Sequence, residues 1–210
     1  MGIPERRKRE KERRRQQIIV AARRCFKKRG YKATSIEKIA DEAGLSPGTI
    51  YLYFQNKEDL YASVLTKVFE SLYMRFVHIK NQEIPKIEDR LNSMIEVILE
   101  VYSEEPKFIL KFFHLLLQDN NFRISPVTHK ILKALLKKVK EVSTALFKID
   151  NKNYVNKYSD PIVLSDIFWS TFIGVAVVEA GKMNLLNSEI NIKPKLENIF
   201  ELYKRGMDQS

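Results

Sequence analysis

Glycine and proline are scarce in this chain, seven of each in 210 residues, and where they stand limits the fold more than any other feature. Gly30 and Gly44 close runs with helical spacing, the place where glycine commonly ends a helix. Pro47, Pro106, Pro126, Pro161 and Pro194 open such runs, where the fixed φ of proline suits the first helical turn. A chain of many short strands would need more turn residues than this. The expected fold class is all-α, and a hydrophobic fraction of 44% supplies a real core.

The apolar pattern supports that expectation. Ile18, Ala21, Ala22, Cys25 and Phe26 recur at the three-and-four spacing of one helical face. They predict a first helix from about Glu12 to Arg29, behind a basic tail over residues 1–15. Thr34 or Ser35 can N-cap a second helix from Ile36 to Ala43, with Ile36, Ile39, Ala40 and Ala43 inward. Gly44 breaks it. Ser46 caps a third, with Pro47 in its first turn, reaching about Tyr53 or Phe54. The link Ala43-Gly44-Leu45-Ser46 is the short, glycine-containing turn of a helix-turn-helix. Asn56 caps a long helix from Lys57 to about Lys80, roughly 35 Å at ~1.5 Å per residue. Five more helices follow: Lys86 to Glu104, then those opened by Pro106, Pro126, Pro161 and Pro194, with a polar link over 149–160. The expected division is a DNA-binding domain over residues 1–60 and a second helical domain over 61–210.

Charge points to a partner class. The formal net charge is +11. Between Arg6 and Lys32 stand fourteen basic residues, opposed there only by Glu10 and Glu12. A local surplus of this kind selects polyanions. Cys25 is the only cysteine, so no intrachain disulfide forms, and a reducing cytoplasm is expected. Arg23 and Arg24 interrupt any signal-peptide core. No stretch reaches the ~20 uninterrupted apolar residues of a membrane span; the most apolar segment, 162–180, holds Asp166 and Glu179 and reads as a buried helix. His78, His114 and His129 are scattered, and no phosphate loop, Gly-x-Ser-x-Gly or Cys–His pair stands out. Neither catalytic residue, metal nor cofactor is expected, and the chain does not read as an enzyme.

The informative window runs from Gly30 to Leu60. It reads Gly30-Tyr31-Lys32-Ala33-Thr34-Ser35-Ile36, then Ile39-Ala40-Asp41-Glu42-Ala43-Gly44-Leu45-Ser46-Pro47-Gly48-Thr49-Ile50-Tyr51-Leu52-Tyr53-Phe54-Gln55-Asn56-Lys57-Glu58-Asp59-Leu60. From about Ile18 onward the sequence closely resembles the N-terminal domain of the tetracycline-repressor (TetR) family. The resemblance implies a ligand-responsive, DNA-binding transcriptional regulator, by family default a repressor, whose recognition helix is Ser46 to Tyr53. The DNA-contacting positions it implies are Thr34, Ser35, Pro47, Gly48, Thr49, Tyr51, Leu52, Tyr53 and Lys57. Leu52 departs from the polar or aromatic residue often found there.

The residue chemistry fits. A helix entering a major groove ~12 Å wide must present small or polar groups at its leading end. Pro47, Gly48 and Thr49 do so, and the Thr49 methyl can touch a thymine methyl. Tyr51 and Tyr53 can donate to phosphates, and Lys57 adds a charge. Thr34, Ser35 and the amides behind them can hold another phosphate. Ile50 and Phe54 point inward. Two readings of the basic tail stay open: an arm along the minor groove or backbone, or a solvated charge run that raises non-specific affinity.

A single helix-turn-helix covers few base pairs, so a homodimer is expected. By resemblance its interface comes from the last two helices, with Phe168, Phe172, Val175, Val178, Ile199, Phe200 and Tyr203. The family also implies a cavity for a small, apolar effector. Its candidate lining is Tyr102, Phe108, Phe112, Phe113, His114 and Trp169, with Gln118, Asp166 and Glu179 as further polar groups. The other reading, a sequence-non-specific architectural DNA-binding protein, has no need of so large a C-terminal domain.

Overall fold

The computed structural model describes residues 3–104, 110, 123–148, 160–186, 189 and 191–208. Among these residues there are eight helices and no strand. They are α1 (Ile3–Ala33), α2 (Ile36–Ala43), α3 (Pro47–Tyr51), α4 (Lys57–Asn81), α5 (Ile87–Glu104), α6 (Pro126–Leu146), α7 (Pro161–Leu186) and α8 (Lys193–Asp208). The helix expected to start at Pro106, with Phe108, Phe112, Phe113, His114 and Gln118, lies outside the described residues, as does most of the 149–160 link.

Helix α1 differs from expectation at both ends. It begins at Ile3 rather than near Glu12, so most of the tail is helical. The sequence supplies a reason: Glu5–Arg9, Arg6–Glu10 and Lys8–Glu12 are opposite charges four residues apart, each worth a few tenths of a kcal/mol on a helix surface. Gln16 extends the ladder, donating to the Glu12 carboxylate at 2.6 Å. At the other end α1 continues past Gly30 across a kink, with Gly30 at φ 76° and ψ 168°. Only glycine adopts that conformation without strain. Helix α3 is also shorter than expected: Leu52 and Tyr53 form the turn behind it.

The chain forms two compact units. The first takes residues 1–68 and 107–134, the second residues 69–106 and 135–210, so α4 and α6 contribute to both. Ile18, Ala22, Phe26, Ile39, Ala40, Ile50, Phe54 and Leu60 are the buried heart of the first unit. Asp59, also buried, accepts from the Ser125 amide at 3.0 Å and hydroxyl at 2.9 Å, tying the start of α4 to the start of α6.

The second unit is built on aromatic packing. The Phe168 ring meets Phe200 at 5.1 Å, Trp169 at 5.6 Å and Phe147 at 5.9 Å. This corrects the expected interface. Phe168, Phe172 and Phe200 are buried inside one chain's own core and present no surface to a partner. The apolar residues of α7 that remain exposed are Ile162, Val163, Ile167, Val177, Val178, Met183, Leu185 and Leu186. The reading of segment 162–180 as a buried helix is likewise corrected. Residues Pro161–Met183 are long and apolar enough, by length and composition, to cross a membrane, and only 22% of the window is buried within the chain. The charges of α7 are engaged in ion pairs. Asp166 meets the Lys140 ammonium at 3.0 Å, and buried Glu179 holds Lys195 and Lys182.

Candidate nucleic-acid interface

Three N-caps and one C-cap fix the local geometry. The Ser35 hydroxyl accepts from the Lys38 amide at 3.4 Å and starts α2. Gly44, at φ 64° and ψ 39°, ends it in the left-handed region, and Leu45 donates back to the Ala40 carbonyl at 2.9 Å. That bond, with the one from the Gly44 amide to the Asp41 carbonyl at 3.1 Å, satisfies carbonyls that the end of any helix leaves open. Ser46 then caps α3, accepting from the Thr49 amide at 3.2 Å. Asn56 caps α4, its side-chain oxygen accepting from the Asp59 amide at 2.7 Å.

This framing presents one face of α3. Ile50 is fully buried and locks the helix to the core. Its neighbours Tyr51 and Leu52 are 54% and 78% exposed. Pro47 and Gly48 are exposed, while Thr49 and Tyr53 are half-buried. The Thr49 hydroxyl shares a hydrogen bond with that of Ser46 at 2.9 Å. Six of the nine predicted positions therefore gather on one short segment, 47–53. An exposed leucine beside an exposed tyrosine needs an explanation that the protomer alone does not offer.

The other three positions are placed differently. Thr34 is 1% exposed. Its hydroxyl donates to the carbonyls of Gly30 at 2.7 Å and Cys25 at 3.2 Å. It braces the Gly30 kink and is not available to a phosphate, which corrects the expectation for that side chain. Lys57 is half-buried. Its ammonium donates to the Thr34 carbonyl at 3.0 Å and the Tyr31 carbonyl at 3.2 Å, and sits 4.3 Å above the Tyr31 ring. Its charge neutralises the open carbonyl end of α1 rather than standing in solvent. Hydrogen bonds from the Ser35 hydroxyl and from its own amide draw the exposed Glu37 carboxyl below its ordinary range.

Sequence reasoning missed the group that steadies this corner. Tyr31 packs against Phe26 and Tyr61 with centroids 5.8 and 5.0 Å away. Its hydroxyl donates to Glu58 at 2.5 Å, and burial together with that bond raises the phenol's pKa. The available signal was Phe26 and Tyr31 on either side of Gly30. Cys25 lies nearby, buried, its thiol donating to the Lys38 carbonyl at 3.6 Å; burial raises its pKa.

Comparison with known proteins decides what this geometry belongs to. Residues 18–64 match the family model described as bacterial regulatory proteins, tetR family. This segment is thus similar to the N-terminal part of the TetR family. It is 36% identical over 78 residues to an uncharacterized HTH-type transcriptional regulator, YuxN, of Bacillus subtilis, the match covering 36% of this chain and 27% of that protein. It is 32% identical over 97 residues to the fatty acid metabolism regulator protein of the same organism, covering 46% of this chain and 42% of that one. The matched segments thus span less than half of either relative. The fold is shared more widely: the FadR structure from Bacillus subtilis, in complex with stearoyl-CoA, superposes with a TM-score of 0.63 at 19% identity, covering 89% of this chain and 96% of that one.

Of the expected effector residues, Tyr102, Asp166, Trp169 and Glu179 are among those described, and the Tyr102 and Trp169 rings both meet Phe172. Trp169 donates its indole N–H to the Ser143 hydroxyl at 3.2 Å. Glu179 accepts from Lys182 at 3.1 Å and from the Asn191 amide at 3.2 Å, besides its bond to Lys195, and these contacts hold its pKa down at about 2. It is therefore committed to the start of α8, and Asp166 to Lys140. Tyr102 is the exception. Its ring packs edge-on to Phe172 at 6.0 Å, and its buried hydroxyl has no hydrogen-bond partner among the described residues.

Proposed function

We propose that this chain is a transcriptional repressor that binds a pseudo-palindromic operator as a homodimer in the cytoplasm and is released by a small apolar effector. The observation that carries the DNA reading is the division of α3: Ile50 buried, and Pro47, Gly48, Tyr51 and Leu52 turned outward on a doubly capped, rigid segment. The leading end is small enough to approach base edges, and Tyr51 is placed to donate to a phosphate. Leu52, with no polar atom to offer, suits an apolar contact with a thymine methyl.

Two observations support the rest. The exposed apolar residues of α7 support cover by a second copy, as the resemblance to the TetR family implies. An ammonium or carboxylate in lipid is costly, and α7 carries the buried Glu179 ion pairs, so a partner protein covers this face better than a bilayer does. The buried Tyr102 hydroxyl costs about 1–3 kcal/mol if left unsatisfied, which supports a polar contact from an effector. The stearoyl-CoA bound to the Bacillus subtilis FadR supports a long apolar one.

Selection of duplexes from a random pool by the purified chain tests the DNA reading. A recovered two-fold sequence that outcompetes random duplex supports the repressor. Equal competition by both supports the architectural alternative instead. Native mass spectrometry of the chain from its host tests the effector, and an empty dimer would count against it.

A further inference from the structure

The helical arm that precedes the DNA-binding core is unaccounted for by α3. Residues 5–15 hold eight basic and three acidic residues, a net charge of +5, and residues 4–13 are exposed. The arm is fixed at its root. Arg15 donates to the Ser63 hydroxyl at 3.1 Å and lies 5.1 Å over the Phe54 ring. Gln17 donates to the Ala43 carbonyl at 2.8 Å, at the start of the turn between α2 and α3. The arm therefore leaves the domain beside the helix-turn-helix, as a continuation of α1.

Its shape decides how it can meet DNA. An α-helix with side chains is about 10–12 Å across, and the minor groove is only ~6 Å wide. A helical arm cannot thread that groove as an extended arm does. Its basic residues stand all round the helix, with no apolar face after Ile3 to insert among lipids. Residues 3–14 span about 18 Å at ~1.5 Å per residue, matching roughly five steps of one strand at ~3.4 Å per phosphate. We infer that the arm lies along the DNA phosphate backbone beside the segment read by α3, adding contacts that tighten binding without choosing sequence. This rests on the DNA-binding reading of α3.

The test uses the full chain and a duplex of mixed sequence. Replacing Arg6, Arg7, Lys8 and Arg9 together by glutamine removes charge and leaves the core intact, which circular dichroism checks. The dependence of log affinity on log salt should become shallower by about two to four, at ~0.9 per lost phosphate contact, and affinity should fall at least tenfold. Preference for a selected operator over random duplex should not change. Glu10→Pro separates helix from charge. It makes the arm more positive, so a flexible charged tail would bind more tightly, whereas an arm that must be helical binds more weakly. An unchanged salt slope in the glutamine variant, tighter binding by Glu10→Pro, or loss of the arm's contribution when the minor-groove ligand netropsin is added each overturns the proposal. Equal loss of binding to phosphatidylserine vesicles and to DNA overturns the choice of DNA. A wild-type chain that retains no duplex at all sinks the α3 reading as well, so the two failures are told apart.

Discussion

The recognition segment 46–56 and the helix α7 are built by opposite means. In the first, single residues hold single jobs: Ser46 caps, Gly44 turns, Ile50 anchors, Asn56 caps again. In the second, the work is done by quantity. Helix α7 has apolar residues on nearly every side, some buried and many exposed. The first kind of region leaves a signature that can be recognised residue by residue. The second tolerates exchange of one aliphatic residue for another, because close packing needs volume and shape more than identity.

The largest expected effect breaks the comparison at its strongest point. Ile50→Ala should cost about 2–5 kcal/mol, the usual loss for truncating a buried aliphatic side chain. Thermal unfolding should show it, with DNA retention lost alongside. Next comes the α7 face. Val178→Glu places a charge on an exposed apolar surface, so the protomer should stay helical while the assembly shifts towards monomer in sedimentation. Collapse of the protomer instead would mean that the face is internal. Tyr51→Ala is the counterpart of Ile50→Ala one residue away. Its stability should move by less than ~0.5 kcal/mol, as at an exposed site, while affinity for a selected operator falls about tenfold, or ~1.4 kcal/mol. A loss of stability similar to that of Ile50→Ala would place Tyr51 in the core.

The smallest effect concerns Glu179. Its pKa of about 2 lies below the ordinary 4.5, so the folded state favours the charged form. The stability this contributes is present above pH ~4.5 and is lost as the pH falls towards ~2. Glu179→Gln should therefore be less stable than the parent at neutral pH, and the gap should close in acid titrations. A gap that stays constant between pH ~5 and ~2 would assign the effect to packing.

These contrasts explain what the sequence made legible. The caps and the turn were readable because Ser, Gly, Pro and Asn each have one physical reason to stand where they do. Helix α2 keeps the expected ends for that reason. The helical arm was missed because no cap or apolar stripe marks it; its support is a ladder of charge pairs that reads equally well as a solvated tail. The intrachain bonds of Thr34 and Lys57 were missed for a different reason. Both can bind a phosphate, and only the path of the chain at Gly30 shows that a carbonyl reaches each of them first. Phe168, Phe172 and Phe200 were assigned to an interface because apolar residues on every side of α7 give no periodicity from which to tell inside from outside.

Cys25 carries a practical consequence. The chain's single sulfhydryl is buried and kept protonated near neutral pH, so its surface is silent to maleimide and iodoacetamide reagents. A new cysteine at the tip of the arm or at Leu52 would be the one site to react. Fluorophores or spin labels could then be placed without first removing the native thiol, and distances between paired labels would report how the arm and α3 move when DNA arrives.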